Sequence, residues 1–117
     1  MGGGGATVDY STNEQNTGVK WIDGKYIYRK VIDMGTLPNN TAKIVNTGIT
    51  NFGRLIDLTV LTVRMVFNYS YAPDRISGSY ALAAWLVDST GAQVKVESNY
   101  DASATDAFII ICYTKSS

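Results

Sequence analysis

The chain has 117 residues, and its ten Lys and Arg balance ten Asp and Glu to a formal charge of zero. It therefore fits a single domain and offers no basic footprint for nucleic acid or an anionic membrane. With 45% hydrophobic residues, eight Tyr, three Phe and two Trp it can bury a core, which excludes disorder of the whole chain. The absence of His excludes a Ser-His-Asp triad, a Cys-His pair and His-ligated metal, and the single cysteine, Cys112, excludes an internal disulfide and a multi-Cys metal site.

Residues 1–18 read as an N-terminal arm, with the glycine run Gly2 to Gly5 as a flexible lead-in and a polar, turn-rich stretch after it. The start shows no signal peptide, and no run approaches the ~20 apolar residues of a membrane span, so a soluble chain without membrane insertion is expected. The head domain is placed at residues 19–117. Asp23-Gly24 between two sets of strand formers signals a hairpin, and the second strand covers residues 25–34. A turn cluster at 35–40 leads to a short strand at 42–45, followed by breaks at 46–48 and 51–53.

Residues 55–67 (LIDLTVLTVRMVF) form the longest apolar stretch, rich in β-branched side chains that favour strand over the rival helix. Neither of its alternating faces is polar, so it is a strand covered on both sides or two strands joined by a bend. Residues 69–79 read as an exposed loop and 80–87 as a strand. A turn at 88–91 leads to a strand at 93–97, a polar loop at 98–106, and a final strand at 107–114 that is apolar on both faces. About seven strands without an amphipathic helix indicate an all-β fold, a small antiparallel β-sandwich or jelly roll. Two double-sided strands leave apolar rows that the chain itself does not cover, which points to a cyclic homo-oligomer with Ile56, Leu58, Val60, Ile109 and Ile111 at its interface.

Several segments together resemble a family. Tyr10-Ser11-Thr12-Asn13-Glu14-Gln15, Gly18, Trp21-Ile22-Asp23-Gly24-Lys25 and Ile27-Tyr28-Arg29-Lys30 resemble the YSTxEQ…TWIDGKPIYRK opening of C-terminal head domains in tailed-phage fibre and receptor-binding proteins. Gly35-Thr36-Leu37-Pro38-Asn39 resembles the GxLPN turn of that family, Thr47-Gly48-Ile49-Thr50-Asn51 its HGI-S-N segment, and Tyr113-Thr114-Lys115 its closing strand. Tyr26, Thr47 and Cys112 depart from the Pro, His and acidic residue common there. The resemblance covers about half the chain and leaves residues 57–106 outside it. It implies a β-sandwich head, a homotrimer, carried on a virion fibre or baseplate appendage or encoded by a prophage, in contact with a bacterial surface glycan or other host receptor.

Tyr69, Tyr71, Asp74, Arg75 and Tyr80 in and beside the 69–79 loop, with Tyr100 and Asp101 in the next loop, are the candidate ligand contacts. Aromatic faces stack on sugars, and Arg75 can donate a forked pair of hydrogen bonds to an acidic one. Trp21 and Trp85 are assigned to packing, Trp85 to a buried site. Asp57 and Arg64 are expected to form an ion pair or an intersubunit contact. Cys112 reads as a small hydrophobe. The scattered acids give no paired-carboxylate signal for glycoside hydrolysis, so no catalytic residue, metal or cofactor is assigned and the expected function is not enzymatic.

The functional expectation is thus a trimeric fibre head that binds host glycan through its tip loops, three weak sites gaining avidity on one rigid head. Two alternatives remain: a purely structural trimerisation or attachment module, and a monomeric carbohydrate-binding module.

Overall fold

The computed structural model describes residues 9–63, 66–67, 82–98 and 100–116. They form eight strands: β1 (Gln15–Lys20), β2 (Tyr26–Thr36), β3 (Ala42–Asn46), β4 (Phe52–Leu61), the two-residue β5 (Val66–Phe67), β6 (Leu82–Leu86), β7 (Gln93–Ser98) and β8 (Asp106–Lys115). All pairings are antiparallel, in a five-stranded sheet ordered β1-β2-β8-β4-β5 and a three-stranded sheet ordered β3-β7-β6. The expected all-β sandwich is what the residues build.

β8 is the centre of the larger sheet, and its neighbours decide which of its two apolar faces turns inward. Residues directly opposite one another share a face. The rows Tyr28–Tyr113–Leu55, Lys30–Ile111–Leu58 and Ile32–Ile109–Val60 therefore face one way, and Arg29–Cys112–Asp57, Val31–Ile110–Thr59 and Asp33–Phe108–Leu61 the other. The first set turns toward the smaller sheet, whose rows Val45–Val94–Leu86 and Lys43–Val96–Ala84 complete the core. Val60, Ile109, Ile111, Val94 and Val96 are all inaccessible to solvent. Each such aliphatic side chain contributes up to about 1.5–3 kcal/mol through burial.

Four of the residues expected at an oligomer interface, Leu58, Val60, Ile109 and Ile111, are thus corrected to the interior of a single chain. The fifth, Ile56, is half-buried beside an irregularity between Leu55 and Asp57 that shifts the register of β4 against β8. The reason is phase: β8 has large apolar residues on both of its alternations, and only the pairing shows that Phe108 and Ile110 are the outward ones. These, with Val31, Leu61 and Val66, form the apolar rows on the outer face of the larger sheet.

The long apolar stretch resolves into two strands. β4 begins at Phe52, earlier than the pattern suggests, and turns after Leu61 into β5. The polar arm also ends earlier than residue 18, because β1 already pairs at Gln15 with Arg29 and the Val31 amide donates to the Ser11 carbonyl at 2.8 Å. The Asp-Gly hairpin stands where expected: Gly24 has φ 87°, its amide donates to the Trp21 carbonyl at 2.9 Å, and the Lys25 amide donates to Asp23 Oδ1 at 2.9 Å. Trp21 is half-buried beside it. Trp85, expected to be buried, is half-exposed on the outer face of the smaller sheet, in a row with Lys95 and Ile44. Asp57 is exposed and accepts a hydrogen bond from Thr59, while Arg64 lies outside the described residues.

Two lysines occupy inward positions that the sequence pattern did not single out. Lys43, on β3, reaches across and donates to the carbonyl oxygens of Met34 and Thr36 at 2.6 and 2.9 Å, tying the edge of the smaller sheet to β2. Lys30, on β2, extends toward Gly48, where a Cβ would lie 2.8 Å from its Nζ.

Candidate functional site

At one end of the larger sheet, the hairpin between β1 and β2 meets the last residues of β8 and the first of β4. Three separated segments supply the side chains. The Tyr113 hydroxyl donates to Glu14 Oε2 at 2.5 Å across 99 residues of sequence. The Lys115 ammonium donates to both Glu14 oxygens, at 3.0 and 2.9 Å, and stands 5.6 Å from the centre of the Tyr28 ring. The Tyr113 ring lies between Tyr28 and Phe52, with centroid separations of 6.2 and 5.8 Å. Such ring pairs contribute about 0.5–1.5 kcal/mol each beyond the area they bury.

Alternation explains the convergence. Tyr113 and Lys115 lie two residues apart on β8 and so share a face, Tyr28 is the register partner of Tyr113, and Phe52 is the partner of Lys115. Glu14, one residue before β1, closes the group from the chain entry.

The electrostatics are those of a fixed clamp. Partial burial draws the Glu14 carboxyl upward, but hydrogen bonds from Tyr113 and Lys115 and the positive charges of Lys115 and Lys30 outweigh it and hold the group below its ordinary value of 4.5. Burial, then the bond to Glu14, drives the Tyr113 phenol far above its ordinary range. Near neutral pH the carboxylate stays ionised and the phenol stays protonated, the states that the hydrogen bond between them requires.

Beside the clamp, Gly24, Lys25, Tyr26, Tyr28 and Lys115 line an open pocket of about 190 Å³. Tyr26 is 43% exposed, and the Lys20 ammonium stands 5.2 Å from its ring centre. Sequence reasoning did not mark this pocket. The signal lay in the hairpin, which brings Lys25 and Tyr26 to a rim, but the position of Lys115 follows only from the pairing of β2 with β8.

Of the ligand contacts expected from sequence, Tyr69, Tyr71, Asp74, Arg75 and Tyr80 lie outside the described residues. Tyr100 and Asp101 lie in the loop that leads into β8, whose first residue, Asp106, is about 30 Å along the strand from Lys115 at the usual rise per residue. Asp101 pairs with Asn39 in an isolated bridge, and its Oδ1 accepts hydrogen bonds from the Ser103 amide at 3.0 Å and the Ser103 hydroxyl at 2.6 Å. Those bonds hold its carboxyl below the ordinary value of 3.8. The Tyr100 carbonyl accepts from the Asn40 amide and the Ser98 hydroxyl, both at 2.9 Å, while the residue as a whole is 39% exposed. Asp101 is therefore spent on its own turn, and Tyr100 keeps exposed surface at that end.

Cys112 lies half-buried on the outer face between Arg29 and Asp57, its thiol pushed up by burial and by Asp57 against the opposing pull of Arg29. No cluster of His, Cys, Asp or Glu able to hold a metal ion occurs among the described residues, and they contain no helix long and apolar enough to cross a membrane. Comparison of the chain with protein families, curated proteins and solved structures finds no match, so a functional reading rests on its own residues.

Proposed function

We propose that the chain is the head domain of a phage or prophage tail-fibre or receptor-binding protein, assembled as a homotrimer and contacting a host-surface glycan without chemical turnover. The observation that carries this reading is the meeting of the separated motif residues. Glu14, Tyr28, Tyr113 and Lys115, drawn from three segments of the phage-head resemblance, form one clamp. Tyr10 of the first segment stacks on Arg29 of the second, with the guanidinium 4.0 Å from the ring centre. Leu37 and Ile49 of the intervening segments are both buried in the core. Residues of one motif set are expected to share a structural task, and the meeting of the four clamp side chains supports the reading.

The outward apolar rows support assembly. Phe108 is 43% and Val66 64% exposed in the single chain, on a face also carrying Ile110, Val31 and Leu61. A second copy would remove such surface from water. The decisive measurement is the mass in solution by light scattering at micromolar concentration. The reading expects a mass near three times 12.7 kDa, and a folded monomer for Phe108→Glu. A monomer for the unaltered chain would overturn the trimeric head and favour a monomeric carbohydrate-binding module.

A further inference from the structure

The pocket beside the clamp combines three features that recognise one kind of ligand. One wall is a tyrosine ring held from behind: Tyr28 packs on Tyr113, which packs on Phe52 and is fixed by its hydroxyl bond to Glu14. A second aromatic side chain, Tyr26, stands at the rim and is 43% exposed. Preformed aromatic walls offer a flat apolar surface at little cost in ordering, and the alternating C–H faces of a pyranose ring match it. The space, about 190 Å³, is smaller than a drug-sized site and suits a single sugar unit.

The charges are the third feature. Lys115 has three N–H donors, and two hydrogen bonds go to Glu14, so one proton remains for the pocket it lines. The Lys25 ammonium has no partner among the described residues, and Lys20 stands over Tyr26. Against these three cations are two carboxylates: Glu14 is bound to Tyr113 and Lys115, and Asp23 accepts the Lys25 amide in the turn. A chain that is neutral overall therefore places an excess of positive charge around this one pocket.

We propose that this pocket binds a single hexose-sized sugar unit carrying one negative charge, its ring against Tyr28 and Tyr26 and its anionic group between Lys25 and Lys115. The site lies at the opposite end of the sheet from Tyr100 and Asp101. It is built by one chain, so it rests on the glycan-contact reading only for the biological source of the sugar and not for the trimer. The charged group can be the carboxylate of a uronic acid or the phosphate of a phosphorylated surface polymer.

The test is an amide chemical-shift titration of the intact chain with glucuronic acid, glucose 6-phosphate and glucose. Either acidic sugar is expected to shift the amides of Gly24, Lys25, Tyr26, Tyr28 and Lys115 with millimolar affinity, and whichever binds more tightly identifies the source. Glucose is expected to bind more weakly. Lys25→Ala should weaken the acidic sugar by about threefold to tenfold, and Tyr26→Ala should weaken all three sugars. Both side chains are at the surface, so an unchanged amide spectrum elsewhere reports that the variants fold. The proposal is overturned if neither acidic sugar shifts these amides at about 10 mM, if glucose binds as well as they do, or if Lys25→Ala changes nothing. Any of those results would leave a trimeric mass untouched, and a monomeric mass would leave this pocket standing.

Discussion

The two ends of the larger sheet each hold a carboxylate below its ordinary range by hydroxyl and amine or amide donors, yet they use it differently. Glu14 joins positions 99 residues apart and anchors a buried ring. Asp101 binds an amide and a hydroxyl only two residues away. A local turn orders a few residues that are already neighbours, whereas a bond between the chain entry and its last strand closes a loop of nearly the whole domain. Similar chemistry therefore carries different structural weight, and the contrast can be broken by experiment.

The largest effect belongs to the ring at the clamp. Tyr113 is fully buried between Tyr28 and Phe52, so Tyr113→Ala is expected to cost about 3–5 kcal/mol in a denaturant melt, enough to unfold a marginal domain. Tyr100→Ala, at the other end, removes a ring from a residue that is 39% exposed and should cost far less. Equal losses for the two substitutions would end the claim that the ends differ.

Next is the carboxylate of the clamp. Glu14→Gln keeps the shape but weakens the bonds to Tyr113 and Lys115, and should cost about 1 kcal/mol near neutral pH, a modest figure because the group stands partly in water. Its folded-state value is depressed, so its contribution is fully present above its ordinary 4.5 and is lost as pH falls through the lower folded value. Melts of the unaltered chain and Glu14→Gln should therefore diverge at neutral pH and converge in acid. Parallel curves down to about pH 2 would show that the carboxylate does not sustain the clamp.

How much of this was legible in the sequence differs from residue to residue. The Asp23-Gly24 hairpin and the turn before Gly91 could be read because they are local: a turn needs only its own few residues to specify it. The sandwich followed from the number and spacing of apolar runs. The inward face of β8 did not, since Ile109 and Ile111 alternate with Phe108 and Ile110, and only the register against β2 and β4 separates core from surface. The clamp was present as an ordered set of motifs without a visible purpose. Nothing in the neighbourhood of Glu14 announces a tyrosine almost a chain length away, and the pocket beside it inherits that difficulty, because Lys115 reaches Lys25 and Tyr26 only once β8 lies against β2.

The smallest effect is expected at Asp101. Its carboxylate is fully exposed to water, and its two bonds to Ser103 stay within one turn. Asp101→Asn retains an oxygen that can accept from the same amide, so the melt should shift less than for Glu14→Gln. The pH dependence keeps its sign: the group stabilises above its ordinary 3.8, and that contribution fades as pH falls through the depressed folded value. A double variant of Glu14→Gln and Asp101→Asn tests independence, since sites at opposite ends with no shared partner should add. A loss larger than the sum would mean that the 99-residue contact and the two-residue turn are coupled through β8, the strand that runs between them, and that the ends of this sheet are not separate structures.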